Sequence, residues 1–176
     1  MGILIFAFAL VAGQPSFTAQ PGRVAAIVLP AALLSDRDVQ RQLGSGLTTT
    51  FVLVARQRDG AGRGAARIEI RFDPWDEVWF VHRIGVDGKE ERQKIASREA
   101  LEKWWSAPLA IFAGTADRVA LNVVLTVLPF STAEGEDARR WIGAGAGAPL
   151  VAALIGTTLD AKPIRSWRWQ AEVDLR

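Results

Sequence analysis

His82 is the only histidine among the 176 residues of this chain, which contains no cysteine. An imidazole can act as a general base or bind a metal ion. The common transition-metal sites need further His or Cys ligands, and the sequence has no Gly-x-Ser-x-Gly turn to present a nucleophilic serine. We therefore predict no catalytic residue, no metal site and no cofactor. His82 is interpreted as a structural residue that points to the apolar side of its sheet with Val78, Phe80 and Ile84.

Three carboxylates, Asp73, Asp76 and Glu77, surround a turn predicted at Pro74 and Trp75. Oxygen ligands grouped in this way can hold Ca²⁺, but their spacing does not match a calcium-binding loop. Glycoside cleavage needs two carboxylates on opposite sides of a cleft, and residues three apart in one turn do not provide that separation. We interpret the group as a solvated hairpin turn.

The sequence contains seven tryptophans, which are expected to be either buried in the core or exposed at a binding surface. Most should lie in the core, because a buried indole removes on the order of 200 Å² from water. Trp79 differs, because strand alternation places it with Val81 on the face opposite Val78 and Phe80. If that face is open to solvent, Trp79 and Val81 form an apolar binding surface. Alternatively, a helix at residues 97–106 covers them.

The helix predicted at residues 97–106 carries Leu101, Trp104 and Trp105 on one stripe. Trp104 and Trp105 are candidate binding residues as well, because a helix that lies over a sheet can enclose a cavity for an apolar small molecule. A continuous void lined by these side chains would favour such a carrier, and a fully packed core would exclude it.

Alternation of apolar and charged residues predicts most of the chain to be strands. In the stretch 66–73, four apolar residues alternate with Arg, Glu, Arg and Asp, which indicates a half-buried strand. Charged residues on the outer strand faces favour contact with water there. The predicted strands are residues 24–29, 49–56, 66–73, 77–84, 89–96, 118–128 and 167–175.

Capping residues predict short helices that open at Ser35, Ser97 and Ser131. The last would extend to residue 142 and be followed by a Gly/Ala-rich loop at residues 143–149. The apolar run 150–155 permits a short core helix, a strand or an exposed contact surface, and we favour a helix or an irregular segment. The predicted fold class is α+β, with a mostly antiparallel β-sheet or sandwich and two or three short helices.

Residues 3–12 form an apolar run without a charged side chain. About ten apolar residues are too few to cross a bilayer core of roughly 30 Å as a helix, but they suit the core of a cleavable signal peptide. We predict a signal peptide at residues 1–13, a flexible connection at 14–22 and a single globular domain at 23–176. The mature protein would be periplasmic or secreted, with no stable membrane span. The alternative is that the apolar run is a core strand.

The charge balance does not indicate a nucleic-acid partner. The chain has 21 Lys and Arg against 19 Asp and Glu, a net charge of +2. The basic residues are spread over alternating strand positions and form no run. The Gly-rich stretch 60–64 also lacks the Lys-Ser/Thr pair of a phosphate-binding loop.

A set of motifs runs through the middle and the end of the chain. They are Asp-x-x-Val-x-x-x-Leu at 36–43, Ser-Gly-Leu-Thr at 45–48, Trp75 with the strand 78–82, the helix 97–105, and Ser-Trp-x-Trp at 166–169. Together they resemble a family of uncharacterised exported bacterial proteins, a domain of unknown function. The likeness covers roughly residues 24–130 and the last ten residues. It implies an exported bacterial protein and brings no activity with it.

These features favour a non-enzymatic exported domain that binds another protein at the cell envelope. The predicted contact is the face of Trp79 or the open edge strands of the sheet. One alternative is a carrier that holds an apolar small molecule between sheet and helix. Another is a hydrolase that uses His82.

Overall fold

The computed structural model describes residues 13–129 and 163–176, and the structural statements below concern these residues. They form nine strands, two α-helices and a short 3-10 helix at Ala31–Ser35. Most of the predicted leader, the helix predicted at 131–142, the loop 143–149 and the run 150–155 lie outside the described residues. The elements are β1 (Ser16–Gln20), β2 (Val24–Val28), α1 (Arg37–Leu43), β3 (Thr49–Gln57), β4 (Arg63–Asp73), β5 (Val78–Ile84), β6 (Glu90–Ile95), α2 (Arg98–Trp105), β7 (Leu109–Ala113), β8 (Arg118–Pro129) and β9 (Arg165–Asp174).

The strands form two packed antiparallel sheets, which confirms the predicted α+β class. The larger sheet has six strands in the order β6–β5–β4–β3–β8–β9, and the smaller has three in the order β1–β2–β7. The inner face of the larger sheet meets the smaller sheet across the main core, and its other face is called the outer face here. No helix in the described ranges is long and apolar enough to cross a membrane.

Alternation decides which side chains reach the core. The apolar positions of β4, Ala66, Ile68 and Ile70, are 0–2% exposed, as their pattern predicts. In β9, Val173 is buried and the indole of Trp169 packs against the same core. A smaller apolar cluster lies on the outer face and contains Val52, Ala65 and Leu128.

The smaller sheet differs from prediction in two places. Residues 14–22 were predicted as a flexible connection, but Ser16–Gln20 forms strand β1 and pairs antiparallel with β2. The turn between them is compact because Gly22 and Arg23 both adopt positive φ angles, 85° and 59°. Strand β7 was not predicted, because its sequence, Leu-Ala-Ile-Phe-Ala, is apolar throughout and has no period of two.

The two sheets approach each other closely where β4 begins. At Gly64 a Cβ atom would collide with the carbonyl oxygen of Ile111 in β7 and would lie 2.9 Å from the Cα of Phe112. Only glycine permits two backbones to approach at this distance. Gly64 therefore fixes the spacing between the larger sheet and β7.

Both described helices begin at a capping side chain. Ser97 Oγ accepts a hydrogen bond from the backbone N–H of Ala100 at 3.2 Å, which confirms the predicted start of α2. The first helix is capped by Asp36 rather than Ser35, and its carboxylate accepts from the N–H groups of Asp38 and Val39. The prediction there was wrong by one residue, because Ser35 closes the preceding 3-10 helix.

Candidate functional site

The face of β5 that carries Trp79 and Val81 is covered. Val81 is 3% exposed, and Trp79 is half-buried against the main core, with its ring centroid 4.6 Å from that of Phe72. Arg83 lies on the same face and donates a hydrogen bond to the backbone carbonyl oxygen of Trp104, in α2, at 3.3 Å. Trp79 and Val81 therefore do not form an exposed binding surface, and the covered face considered as the alternative is the one observed.

Trp104 and Trp105 are packed in the main core with Leu101. The indole of Trp105 meets the ring of Phe51 edge to face, with the centroids 4.8 Å apart, and its Nε1 donates to the carbonyl oxygen of Pro30 at 3.1 Å. Helix α2 is thus in direct contact with β3. These indoles fill the interface between helix and sheet.

His82 lies on the outer face, in a row of polar side chains. The row crosses four strands in register, from Thr50 in β3 through Glu69 and His82 to Arg92 in β6. We predicted that His82 would point to the apolar side of the sheet, and that prediction was wrong. Strand β5 has apolar residues at both alternating positions, so its pattern does not distinguish the two faces.

The His82 ring is held between two carboxylates. Its Nδ1 lies 2.9 Å from Oε2 of Glu69, and its Nε2 lies 2.7 Å from Oε1 of Glu90. The other oxygen of Glu69 contacts the guanidinium of Arg67 at 2.8 Å, and Arg67 is only 4% exposed. Arg92 Nε donates to Glu90 at 2.7 Å. The result is a continuous chain of charged and polar side chains, called the charge chain below, that ties β4, β5 and β6 together.

The positive groups in this chain keep both carboxylates ionised. Burial raises the pKa of the Glu69 carboxyl group, but the hydrogen bond with His82 and the charge of Arg67 outweigh burial and hold that pKa below its ordinary value of 4.5. The hydrogen bond from Arg92 holds the pKa of Glu90 below 4.5 as well. Arg67 is therefore never left as an unpaired buried charge at neutral pH.

His82 links β4 to β6 through its contacts with Glu69 and Glu90. Its Nε2 atom is shielded from water, and Glu90 approaches that nitrogen without an aligned hydrogen bond. Within the described residues no three His, Cys, Asp or Glu side chains are grouped to hold a metal ion.

An open groove of about 480 Å³ lies on the outer face over this charge chain. Phe80 stands at its wall and is 36% exposed. The guanidinium of Arg71 lies 5.0 Å from the centre of the Phe80 ring, and Nζ of Lys94 lies 5.6 Å from it. Both distances suit cation–π contacts. The lining residues are Thr48, Glu69, Arg71, Phe80, Val81, His82, Arg92, Gln93 and Lys94.

Within residues 13–129 and 163–176, the exposed large apolar side chains all lie at the same end of the larger sheet. They are Leu47, 45% exposed, Trp75, 94% exposed, and Phe80. Leu47 stands just before β3, Trp75 is in the turn between β4 and β5, and Phe80 is near the start of β5. Together with Arg71 and Lys94 they are called the Phe80 surface below.

The acidic group lies in the turn between β4 and β5, as predicted, and its side chains hold the backbone that presents Trp75. Asp73 Oδ1 accepts hydrogen bonds from the backbone N–H groups of Trp75 at 3.0 Å and Asp76 at 3.3 Å. Asp76 in turn pairs with Lys94 at 3.1 Å. The carboxylates therefore hold the turn in shape, and Trp75 is displayed to solvent on a fixed support.

Sequence reasoning missed Phe80 and selected its neighbour Trp79. Adjacent residues of a strand point to opposite faces of the sheet. The prediction of which face is open to solvent therefore decided which aromatic residue was expected to be exposed. The sequence of β4 contained a usable signal, because Arg71 and Asp73 mark its solvent side. The side chains of β5 that lie directly opposite these two residues point to the same side of the sheet.

No family model, curated protein or solved structure matches this chain. The resemblance to a family of exported bacterial proteins stays a prediction.

Proposed function

We propose that this chain is an exported, non-enzymatic domain that binds another protein at the cell envelope through the Phe80 surface. The observation that carries this proposal is the gathering of Leu47, Trp75 and Phe80 at one end of the larger sheet. Exposed large apolar residues that are scattered singly need no explanation, whereas a group of them beside a groove is typical of an interaction site.

The composition of the Phe80 surface favours a protein partner. Trp and Arg are the residues most enriched among those that dominate binding energy in protein interfaces. The backbone at Trp75 loses little conformational freedom on binding, because the turn is already held by Asp73. Arg71 and Lys94 flank the Phe80 ring and add polar contacts around an apolar centre.

Substitution of both exposed aromatics tests the proposal. The full chain, tagged and produced in its host, would carry Trp75→Ser with Phe80→Ser, and envelope extracts would be separated by native electrophoresis. We expect the wild-type chain to migrate in a complex larger than the monomer and the double variant to migrate as the monomer.

A matched control uses two exposed residues of α2, Glu99→Ser with Lys103→Ser, which leave the net charge unchanged. This variant should remain in the complex. The proposal fails if the wild-type chain migrates as a monomer in every fraction, or if the control variant leaves the complex to the same extent.

A further inference from the structure

Basic residues at alternating strand positions are gathered onto the outer face, although the sequence contains no basic run. At the end of the sheet away from the Phe80 surface, Arg63, Arg56, Asn122 and Gln170 stand side by side on β4, β3, β8 and β9. All four are exposed. They are called the Arg56–Arg63 row below, and they present two guanidinium groups beside two side-chain amides.

The two arginines of the row are direct cross-strand neighbours. Side chains opposite each other in an antiparallel pair have Cβ atoms roughly 5 Å apart, and like charges placed there destabilise the sheet. Among residues 13–129 and 163–176, no carboxylate lies within 4.0 Å of either guanidinium.

The neighbouring carboxylate on β9 does not neutralise the row. Glu172 is already engaged by Arg58 at 3.4 Å and by Arg118 at 2.8 Å. On the other side of the row, β9 adds another exposed arginine, Arg168. The end of the sheet thus has an excess of hydrogen-bond donors and positive charge.

We infer that the Arg56–Arg63 row binds the phosphoryl group of a phosphate monoester. Each guanidinium presents a planar fork that pairs with two oxygens, so two adjacent forks match a group with several acceptor oxygens. A phosphoryl group offers three terminal oxygens and a charge near −2, whereas a carboxylate offers two oxygens and a single charge. Asn122 and Gln170 supply neutral donors next to the arginines.

This site is separate from the Phe80 surface. Arg63 and Arg71 are eight residues apart on β4, and at about 3.3 Å per residue they lie roughly 26 Å apart. The inference therefore does not rest on the proposed protein partner. The phosphoryl group can belong to a soluble ester or to a lipid headgroup.

Two probes distinguish these sources. Inorganic phosphate would be titrated into the full chain while the side-chain resonances of arginine are followed by NMR. In parallel, the chain would be sedimented with phosphatidylcholine vesicles that contain or lack phosphatidic acid. Binding of inorganic phosphate assigns a soluble ligand, sedimentation only with phosphatidic acid assigns a lipid, and either result supports the site.

Variants decide whether the row itself binds. Arg56→Gln with Arg63→Gln should weaken binding at least about tenfold, because two charge-assisted contacts are lost. Arg63→Lys should weaken it less, since the charge stays and only the fork is removed. The matched control is Arg37→Gln with Lys103→Gln, two exposed cations elsewhere with the same change in net charge. Equal losses in the control, or no binding of either probe by the wild-type chain, would overturn the inference.

Discussion

Arg67 and Glu69 lie two residues apart on the outer face of β4, and both are shielded from water. A buried charge is tolerated only when it is paired, and the Arg67–Glu69–His82–Glu90 chain provides that pairing across three strands. His82 is the member of this chain that joins Glu69 of β4 to Glu90 of β6.

Replacing the central carboxylate should uncover the buried arginine. Glu69→Gln is expected to lower the free energy of unfolding at pH 7 by about 3 kcal/mol, because Arg67 then has no counter-charge. Urea unfolding followed by tryptophan fluorescence measures this. The exposed Glu99→Gln substitution in α2 serves as control and should have almost no effect. A loss of equal size in both variants would contradict the role given to Glu69.

The same carboxylate makes stability depend on pH. Because the pKa of Glu69 is lowered in the folded state, the unfolded chain takes up the proton first as the pH falls below about 4.5. The stabilisation is complete above that pH and is lost as the pH falls through the folded-state pKa. Below pH 4.5 the free energy of unfolding should therefore decline less steeply in Glu69→Gln than in the wild-type protein. Parallel pH profiles of the two proteins would exclude this linkage.

The facing arginines of β3 and β4 offer a substitution that is expected to raise the stability of the chain, whereas Glu69→Gln is expected to lower it. Arg63→Glu converts a like-charge cross-strand pair with Arg56 into an attractive one, so the variant should be more stable by about 0.5 kcal/mol. It should also lose phosphate binding. A gain in stability with a loss of binding is typical of residues retained for function. If Arg63→Glu destabilises the chain, the pair has a structural role instead.

Strands and helices whose apolar residues recur with a clear period were predictable from the sequence. Elements without such a period were not. The regular pattern of β4 identified its buried side, and the capping residue Ser97 identified the start of α2. Strand β5 has Val, Trp, Phe and Val in succession, so both faces are apolar and only its partner strand decides which is buried. This explains why Trp79 was selected and Phe80, one residue later, was missed.

Strand β7 depends on a contact that no local pattern reveals. Its backbone approaches Gly64 of β4, at a distance that only glycine permits. Gly64→Ala should cost about 3 kcal/mol of unfolding free energy, because the backbones of two packed strands would have to separate.

Gly60→Ala is the matched control in the preceding loop. There the nearest atoms belong to the flexible end of the Gln57 side chain, which can move aside. Its effect should stay within about 0.5 kcal/mol. Thermal unfolding of the two variants compares them directly. Equal unfolding midpoints would show that the packing of β4 against β7 does not require glycine at position 64.

At the scale of the whole molecule, two features stand at opposite ends of the larger sheet. The Phe80 surface lies where β4 turns into β5. The Arg56–Arg63 row lies at the other end, where β3 ends and β4 and β8 begin. The interior between the two sheets is occupied by aromatic and aliphatic side chains, including the indoles predicted to bind a ligand. The two sites that we propose both lie on the surface of the larger sheet.

Site-specific photo-crosslinking in living cells tests the central proposal most directly. Benzoylphenylalanine would replace Phe80 in the full chain, and in a parallel strain it would replace Glu99, an exposed residue of α2. We predict a crosslinked adduct of discrete mass with another protein from position 80 and none from position 99. No adduct from position 80, or the same adducts from both positions, would contradict the account.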